Sequence, residues 1–407
     1  MIYRWLFMSK KLFTEYPEQD ERKYYDLLVE QAKLRMDNLY GDKDRALRDT
    51  HAKAHACVKA TLEIFDFDEE AIKRELGKRA SLSSSQLNAI SLKQGLLAKP
   101  KEYPVWLRFA NGATTVYPDY QKDSRSMSVK VMGVEGERLA QSHESKTQDI
   151  IVHNSELFVS QTIKDYYGFF SALVESKEAL KKWLIRHPRH FIAVSTLTGS
   201  RTPKSLLTAK YWSGSPSALG LYPDFDPSQP GLVPVEYPAV IKYGFTPVSS
   251  KPPHEIIPEE SRPGIPKIPF VDRAKALGLD PNKPDNYYRD ELIQALAKPD
   301  AEYWWDFGIQ FQTSLKMPID DGINVWKEKE SPFLTVGRLT VKHQIIDYEK
   351  QSDFNENLRY SPWNGLAVHR PVGAINRIRG VVYPVVAEYR LKKRGLVHHE
   401  PTGQETF

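Results

Sequence analysis

The sequence predicts an α+β protein whose strands close into one antiparallel β-barrel with helices around it. Three observations predict this. Strand-like segments stand in both halves of the chain, with helical periodicity inserted between them. No stretch repeats internally, which excludes solenoids and propellers. Twenty-eight prolines against 22 glycines favour ordered connections over flexible linkers.

Each element has its own signal. Between Gln19 and Tyr40 the residues Tyr24, Leu27, Leu28, Ala32 and Leu34 recur at helical spacing among charges, predicting an amphipathic helix that ends at Gly41. From His51 to Phe65 the period becomes two. Ala52, Ala54, Ala56, Val58, Ala60, Leu62 and Ile64 fall on one side, with His51, His55, Cys57, Lys59, Thr61 and Glu63 on the other, the pattern of a long strand. Asp68 as N-cap and Gly77 as terminator bracket a short helix, and residues 105–109 and 127–132 read as strands. Helices follow at 163–173 and 177–185, then strands at 239–245, 308–314 and 334–342. Seven prolines run from Pro247 to Pro269. Because proline fixes φ, this stretch reads as ordered extended chain and not as a domain boundary.

Composition narrows the function classes. The 57 basic and 52 acidic residues leave a net charge of +5, too dilute for nucleic-acid binding without a clustered patch. Lys181-Lys182 and Lys392-Lys393-Arg394 read as solvated faces. A single cysteine, Cys57, precludes an internal disulfide and fits a reducing compartment, so a cytoplasmic location is expected. Residues 1–13 hold Arg4, Lys10 and Lys11 in a short apolar stretch without a clear cleavage site, unlike a signal peptide. No apolar run reaches the ~20 residues of a transmembrane helix.

The chain has no phosphate-cradling glycine loop, no Gly-x-Ser-x-Gly elbow and no His-Glu-x-x-His. His51 and His55 would have metal-ligand spacing only on a helix, and Cys57 reads as an inert core thiol. Four segments stand out instead: Arg48-Asp49-Thr50-His51-Ala52-Lys53, Val105-Trp106-Leu107-Arg108-Phe109, Asp149-Ile150-Ile151-Val152-His153-Asn154, and Arg379-Gly380-Val381-Val382-Tyr383 followed by Arg390. The first and second put charge at or inside apolar strands. The third ends an apolar run in polar residues, and the fourth sets an arginine and a tyrosine on one helical face.

In order and at similar separations, these segments resemble the haem-binding segments of haem catalases, and the likeness extends from about Arg45 to Arg390. Residues 123–130, 188–211, 304–313, 325–327, 336–339 and 360–364 resemble further catalase strands and connections. The resemblance implies a catalase-like antiparallel barrel with surrounding helices and ferric haem b as cofactor. It implies Tyr383 as the phenolate ligand of the iron and Arg379, one turn earlier, as the charge that favours the phenolate, since a free tyrosine titrates near ~10. Such ligation favours ferric iron and peroxide chemistry. Arg48, Arg108 and Arg390 match the arginines that hold the two propionates, for which the planar guanidinium is suited. His51 matches the distal acid–base group. Asn154 is the candidate for a distal asparagine, although a gapless reading sets His153 there, and Tyr166 or Tyr167 would contact the macrocycle.

Three departures refine the likeness. Only 24 residues follow Tyr383, where full catalases continue into a helical domain. The resemblance is therefore to a compact form lacking that C-terminal domain, with a helical arm at 1–44, a haem-binding barrel at 45–395 and a tail at 396–407. Thr50 precedes the distal histidine, where true catalases generally have valine and the catalase-related allene oxide synthases of corals have threonine. Ala110 stands where catalases have a serine that orients the histidine. The implied function is a haem-dependent enzyme acting on organic or lipid hydroperoxides, on hydrogen peroxide, or both, with His51, Thr50 and Asn154 as catalytic residues. A compact catalase or peroxidase specific for hydrogen peroxide and a non-catalytic haem- or lipid-binding barrel are the alternatives. The expected partner is the peroxide, with no nucleic acid and no membrane span, and with a homo-oligomer left open.

Overall fold

The computed structural model describes residues 10–407 except 19, 44, 199–201, 222–234 and 266–271. The expectations for residues 1–9 and for Pro266 and Pro269 lie outside the described residues.

Eight strands form the barrel: β1 (Ala54–Ile64), β2 (Lys101–Asn111), β3 (Arg125–Met132), β4 (Thr147–His153), β5 (Tyr211–Trp212), β6 (Ala239–Val248), β7 (Glu302–Phe311) and β8 (Leu334–Lys342). Each pairs antiparallel with the next, and β8 returns to β1 with Leu339 opposite Leu62, so the sheet closes in chain order. Closure leaves no unpaired edge around the ring. β5 is only two residues long, and Trp212 bridges His153 on one side to Gly244 on the other.

Alternation along the strands sorts side chains between two environments. Val58 and Leu62 of β1, Val105, Leu107 and Phe109 of β2, Val129 and Val131 of β3, and Ile150 and Val152 of β4 join one hydrophobic core. Their neighbours belong to the other face. Cys57, Trp106 and Ile151 pack with Leu358 and Tyr360, and Arg108, Ser128 and Ile151 line a cavity. A second cluster holds α1 (Lys23–Tyr40), α2 (Ile163–Glu175) and α4 (Ala374–Arg394) together through Leu28, Met36, Phe170, Ile378 and Val382. The segment around α3 (Tyr348–Asn357) meets the same outer barrel surface through Phe354, which packs on Trp106. No helix among the described residues is long and apolar enough to cross a membrane.

Several sequence expectations shift. Leu27 and Leu34 of α1 are 39% and 53% exposed, and the buried stripe runs through Leu28, Ala32, Met36 and Tyr40, four residues apart. The helix capped by Asp68 runs Glu69–Arg79, with Gly77 inside it; Ala80, not the glycine, follows its end. The strand expected at 308–314 is the end of β7, which starts six residues earlier. His51 precedes β1 instead of lying in it.

Candidate active site

His51 sits in a turn with φ 56°, left-handed for a residue other than glycine. Its backbone N–H donates to the Gly112 carbonyl at 3.2 Å, and its own carbonyl accepts from Arg108 Nη2 at 2.9 Å. Nδ1 lies 3.1 Å from the Asn111 carbonyl. A carbonyl only accepts, so Nδ1 carries the proton and Nε2 keeps its lone pair. Burial, reinforced by Arg108, pushes the imidazole down to about 4, so it is neutral at neutral pH. The Asn111 carbonyl thus orients the ring.

Beside His51, a cavity of about 60 Å³ is lined by Arg48, Arg108, Arg390 and Tyr383. One buried carboxylate, Glu356 of α3, meets the cations, at 3.9 Å from Arg48 Nε and 3.4 Å from Arg108 Nη2. Arg48 also donates to the carbonyls of Asn355 and Leu358, and Arg390 to that of Leu358. The Nε of all three arginines lacks a hydrogen-bond partner. Burial and mutual repulsion push Arg48 well below the usual arginine range, and burial brings Arg390 down to about 10. Among the described residues, the buried guanidiniums of Arg108 and Arg390 and the largely buried one of Arg48 face the one carboxylate of Glu356, an excess of two positive charges. Burying charge without a partner is costly, so this end of the cavity fits a ligand with two carboxylates.

A larger cavity of about 320 Å³ adjoins the first, sharing Asp49, Thr50, His51, Ile151 and Tyr383. Phe158, Phe169, Phe170, Ile378 and Val382 give it apolar walls. Tyr383 therefore faces both spaces from α4, and His51 does so from the turn before β1. Arg379 lines the larger cavity one turn before Tyr383; its Nη1 donates to Ser215 Oγ at 2.7 Å and to Asn376 Oδ1 at 3.2 Å. Thr50 also faces both spaces, with its hydroxyl 3.4 Å from Asp49 Oδ1. Asp49 forms a buried ion pair with Arg35 of α1.

At the end of β4 the structure departs from expectation. Asn154 does not line the cavity: its Oδ1 accepts from the Arg125 backbone N–H at 2.7 Å. His153, the last residue of β4, lines it instead with Ile151 and Val152, whereas Asn154 lies beyond the strand. Both ring nitrogens of His153 are buried without hydrogen-bond partners, and burial, with Arg379 next, pushes the ring down to about 3. Tyr166 lines the cavity, while Tyr167 packs on Tyr24 with ring centres 5.6 Å apart.

No protein-family model matches the chain, and no curated protein matches it closely enough to count as a relative. Among solved structures it is similar to a fungal catalase, with a TM-score of 0.57 and 17% identity over 85% of this chain and 59% of that one. It is also similar to a bacterial catalase, with a TM-score of 0.53 and 15% identity over 88% of this chain and 59% of that one. The chain has a catalase-like fold. It spans 59% of the length of either catalase, and at these identities the likeness concerns the fold alone.

The catalase-like barrel thus brings Arg48, Thr50, His51, Arg108, Arg379, Tyr383 and Arg390 to two adjoining cavities and leaves Asn154 outside. Reading the sequence missed Glu356, Asn111 and Arg35. Nothing local marks Glu356, which is 248 residues from Arg108. Asn111 acts through its backbone, which no side-chain motif reveals. For His153 the signal was present in the gapless alignment.

Proposed function

We propose that the chain is a haem-dependent enzyme that consumes hydroperoxides, with haem b as its cofactor. The observation that carries this reading is the excess of buried positive charge where Arg48, Arg108 and Arg390 share Glu356, beside a tyrosine and a neutral histidine. The three arginines would hold the propionates, and Tyr383 would ligate the iron as phenolate, with Arg379 on the same helical face favouring the anion. Ferric haem, when bound, supplies the redox centre at which the oxygen–oxygen bond is cleaved.

The chain's own residues perform the proton chemistry. Nε2 of His51 accepts the proton of the incoming hydroperoxide and returns it to the leaving oxygen. The Asn111 carbonyl keeps the required tautomer, and Arg108 both anchors the turn and disfavours the imidazolium. Thr50 offers a hydroxyl and His153 a second neutral imidazole on the same cavity, so His153 would take the part expected of Asn154. The aromatic and aliphatic walls between Tyr383 and His51 suit the haem macrocycle, and Thr50 beside His51 favours organic or lipid hydroperoxides as substrates. The fold shared with catalases favours a second reading, breakdown of hydrogen peroxide itself.

The test is the absorption spectrum of haem-loaded protein before and after addition of a fatty-acid hydroperoxide or hydrogen peroxide, for wild type and Tyr383→Phe. A tyrosinate-type ferric spectrum that responds to peroxide in wild type and is lost in the variant is expected. Failure of wild type to bind haem stoichiometrically would overturn the reading.

A further inference from the structure

Away from the cavities, the loop between β3 and β4 meets the chain that follows α4. Glu144 has a fully buried side chain, and its two oxygens lead different lives. Oε2 accepts from Lys130 Nζ at 2.5 Å, from Asn364 Nδ2 at 2.9 Å and from the Thr147 hydroxyl. Oε1 has no hydrogen-bond partner. It faces two imidazoles, His398 Nε2 at an ion-pairing 2.9 Å and His143 Nε2 at 3.7 Å, and among the described residues neither nitrogen makes a well-aligned hydrogen bond. One ligand atom from each of the three residues can be chosen so that all lie within 4.8 Å of one another.

These distances have a plain reading in coordination chemistry. A tetrahedral zinc ion with bonds of ~2.0–2.1 Å sets its ligand atoms about 3.3 Å apart, between the two separations seen here. Two imidazoles and one carboxylate also form a common donor set for zinc, one that leaves a fourth position to water. The three bonds to Oε2 fix the carboxylate, as outer partners do around metal ligands. Both histidine rings keep a little exposure, 12% and 14%, so an ion can enter from solvent.

We infer that His143, Glu144 and His398 form a binding site for a zinc-like divalent cation that clasps the C-terminal segment to the barrel. The site is prepared by its surroundings. Glu400 accepts from the Ser145 N–H at 3.0 Å, from the Ser145 hydroxyl at 2.7 Å and from the Lys146 N–H at 2.5 Å, so the two segments are apposed without the ion. Further along, Glu405 accepts from Trp106 Nε1 at 2.9 Å and Phe407 stacks edge-on against the same ring, extending the contact that the ion would anchor. This inference does not rest on the proposed haem chemistry, because none of its ligands lines either haem-side cavity.

The test uses the full chain, stripped of metal with a chelator, then titrated with zinc in competition with a fluorescent chelator. One zinc per chain is expected in wild type, with affinity lowered at least ~100-fold in His398→Ala, whose side chain lies near the surface and is not needed for the barrel. Amide exchange supplies a second readout: zinc should slow exchange in residues 396–402 of wild type and leave the variant unchanged. A wild type that takes up no stoichiometric zinc would reduce the cluster to an ion pair with two imidazoles. Equal zinc affinity in His398→Ala would place the ion elsewhere, and either result overturns the assignment.

Discussion

Nδ1 of His51 is bound to the backbone carbonyl of Asn111 at 3.1 Å, and this one contact determines which imidazole nitrogen is free to accept a proton. The ring is held down to about 4, so the proton-accepting form predominates over the whole neutral range. With haem bound, hydroperoxide turnover should stay flat from pH 8 to about 5 and fall as the pH approaches 4. His51→Asn, chosen because asparagine tolerates the left-handed backbone, should retain haem and slow turnover by ~100-fold or more. A rate inflection near 6.5, or full activity in the variant, would assign the proton transfer to another group, with His153 the nearest alternative on the cavity wall.

Glu356 partly neutralises two buried guanidiniums and the largely buried one of Arg48, so Glu356→Gln should destabilise the haem-free chain by about 3–5 kcal/mol, the range for breaking a buried ion pair from one side. Added haem should restore more stability to the variant than it adds to wild type, because the propionates supply the missing negative charge. Denaturant unfolding with and without haem measures both. Equal haem-induced gains in the two proteins would mean that the arginines do not meet the propionates.

Thr50 separates the two substrate readings. Its hydroxyl faces the same cavities as His51 and among the described residues has only a long contact to Asp49 at 3.4 Å, which leaves it available to a bound peroxide. Thr50→Val keeps the β-branched shape and removes the hydroxyl. It should raise oxygen release from hydrogen peroxide relative to turnover of organic hydroperoxides. Paired initial rates at equal haem occupancy test this, and an unchanged ratio would reduce Thr50 to a packing residue.

Buried histidines make the fold acid-sensitive. Burial pushes His51, His55 and His369 down to about 4 and His153 to about 3. Each binds its proton in the unfolded chain near 6.5 and resists it in the native one. Stability from these groups is therefore complete above about 6.5 and declines as pH falls toward 4, by up to ~1.4 kcal/mol per pH unit for each. Five carboxyls work the other way: burial pushes Glu291 up to about 7 and Glu18, Asp123, Asp149 and Glu156 upward as well, so the native chain gains protons there first. Between pH 6.5 and 5 only Glu291 and Asp149 among these carboxyls are raised far enough to offset the four imidazoles, so the balance is a net loss. Urea midpoints should fall between pH 6.5 and 5, and midpoints that hold constant over that interval would show the imidazoles to be solvated.

Period and spacing along the sequence determined the local structure. The two-residue alternation after His51 became β1, and the four-residue step from Arg379 to Tyr383 became one face of α4. Such patterns are legible because they report which side of an element meets the core, a property of neighbouring residues. The order of the four polar segments also carried the catalase-like fold and most of the smaller cavity's lining, whereas most of the larger cavity's walls come from elsewhere in the chain. Tertiary structure decided the rest. Ending β4 at His153 turned that ring into the cavity and gave Asn154 to the Arg125 backbone, a one-residue choice that alternation alone leaves open. Barrel closure set Glu356 among arginines and Glu144 between two histidines. Glu356 and Arg108, and likewise Glu144 and His398, lie hundreds of residues apart and meet only once the chain has folded, so these pairings leave no trace in local sequence.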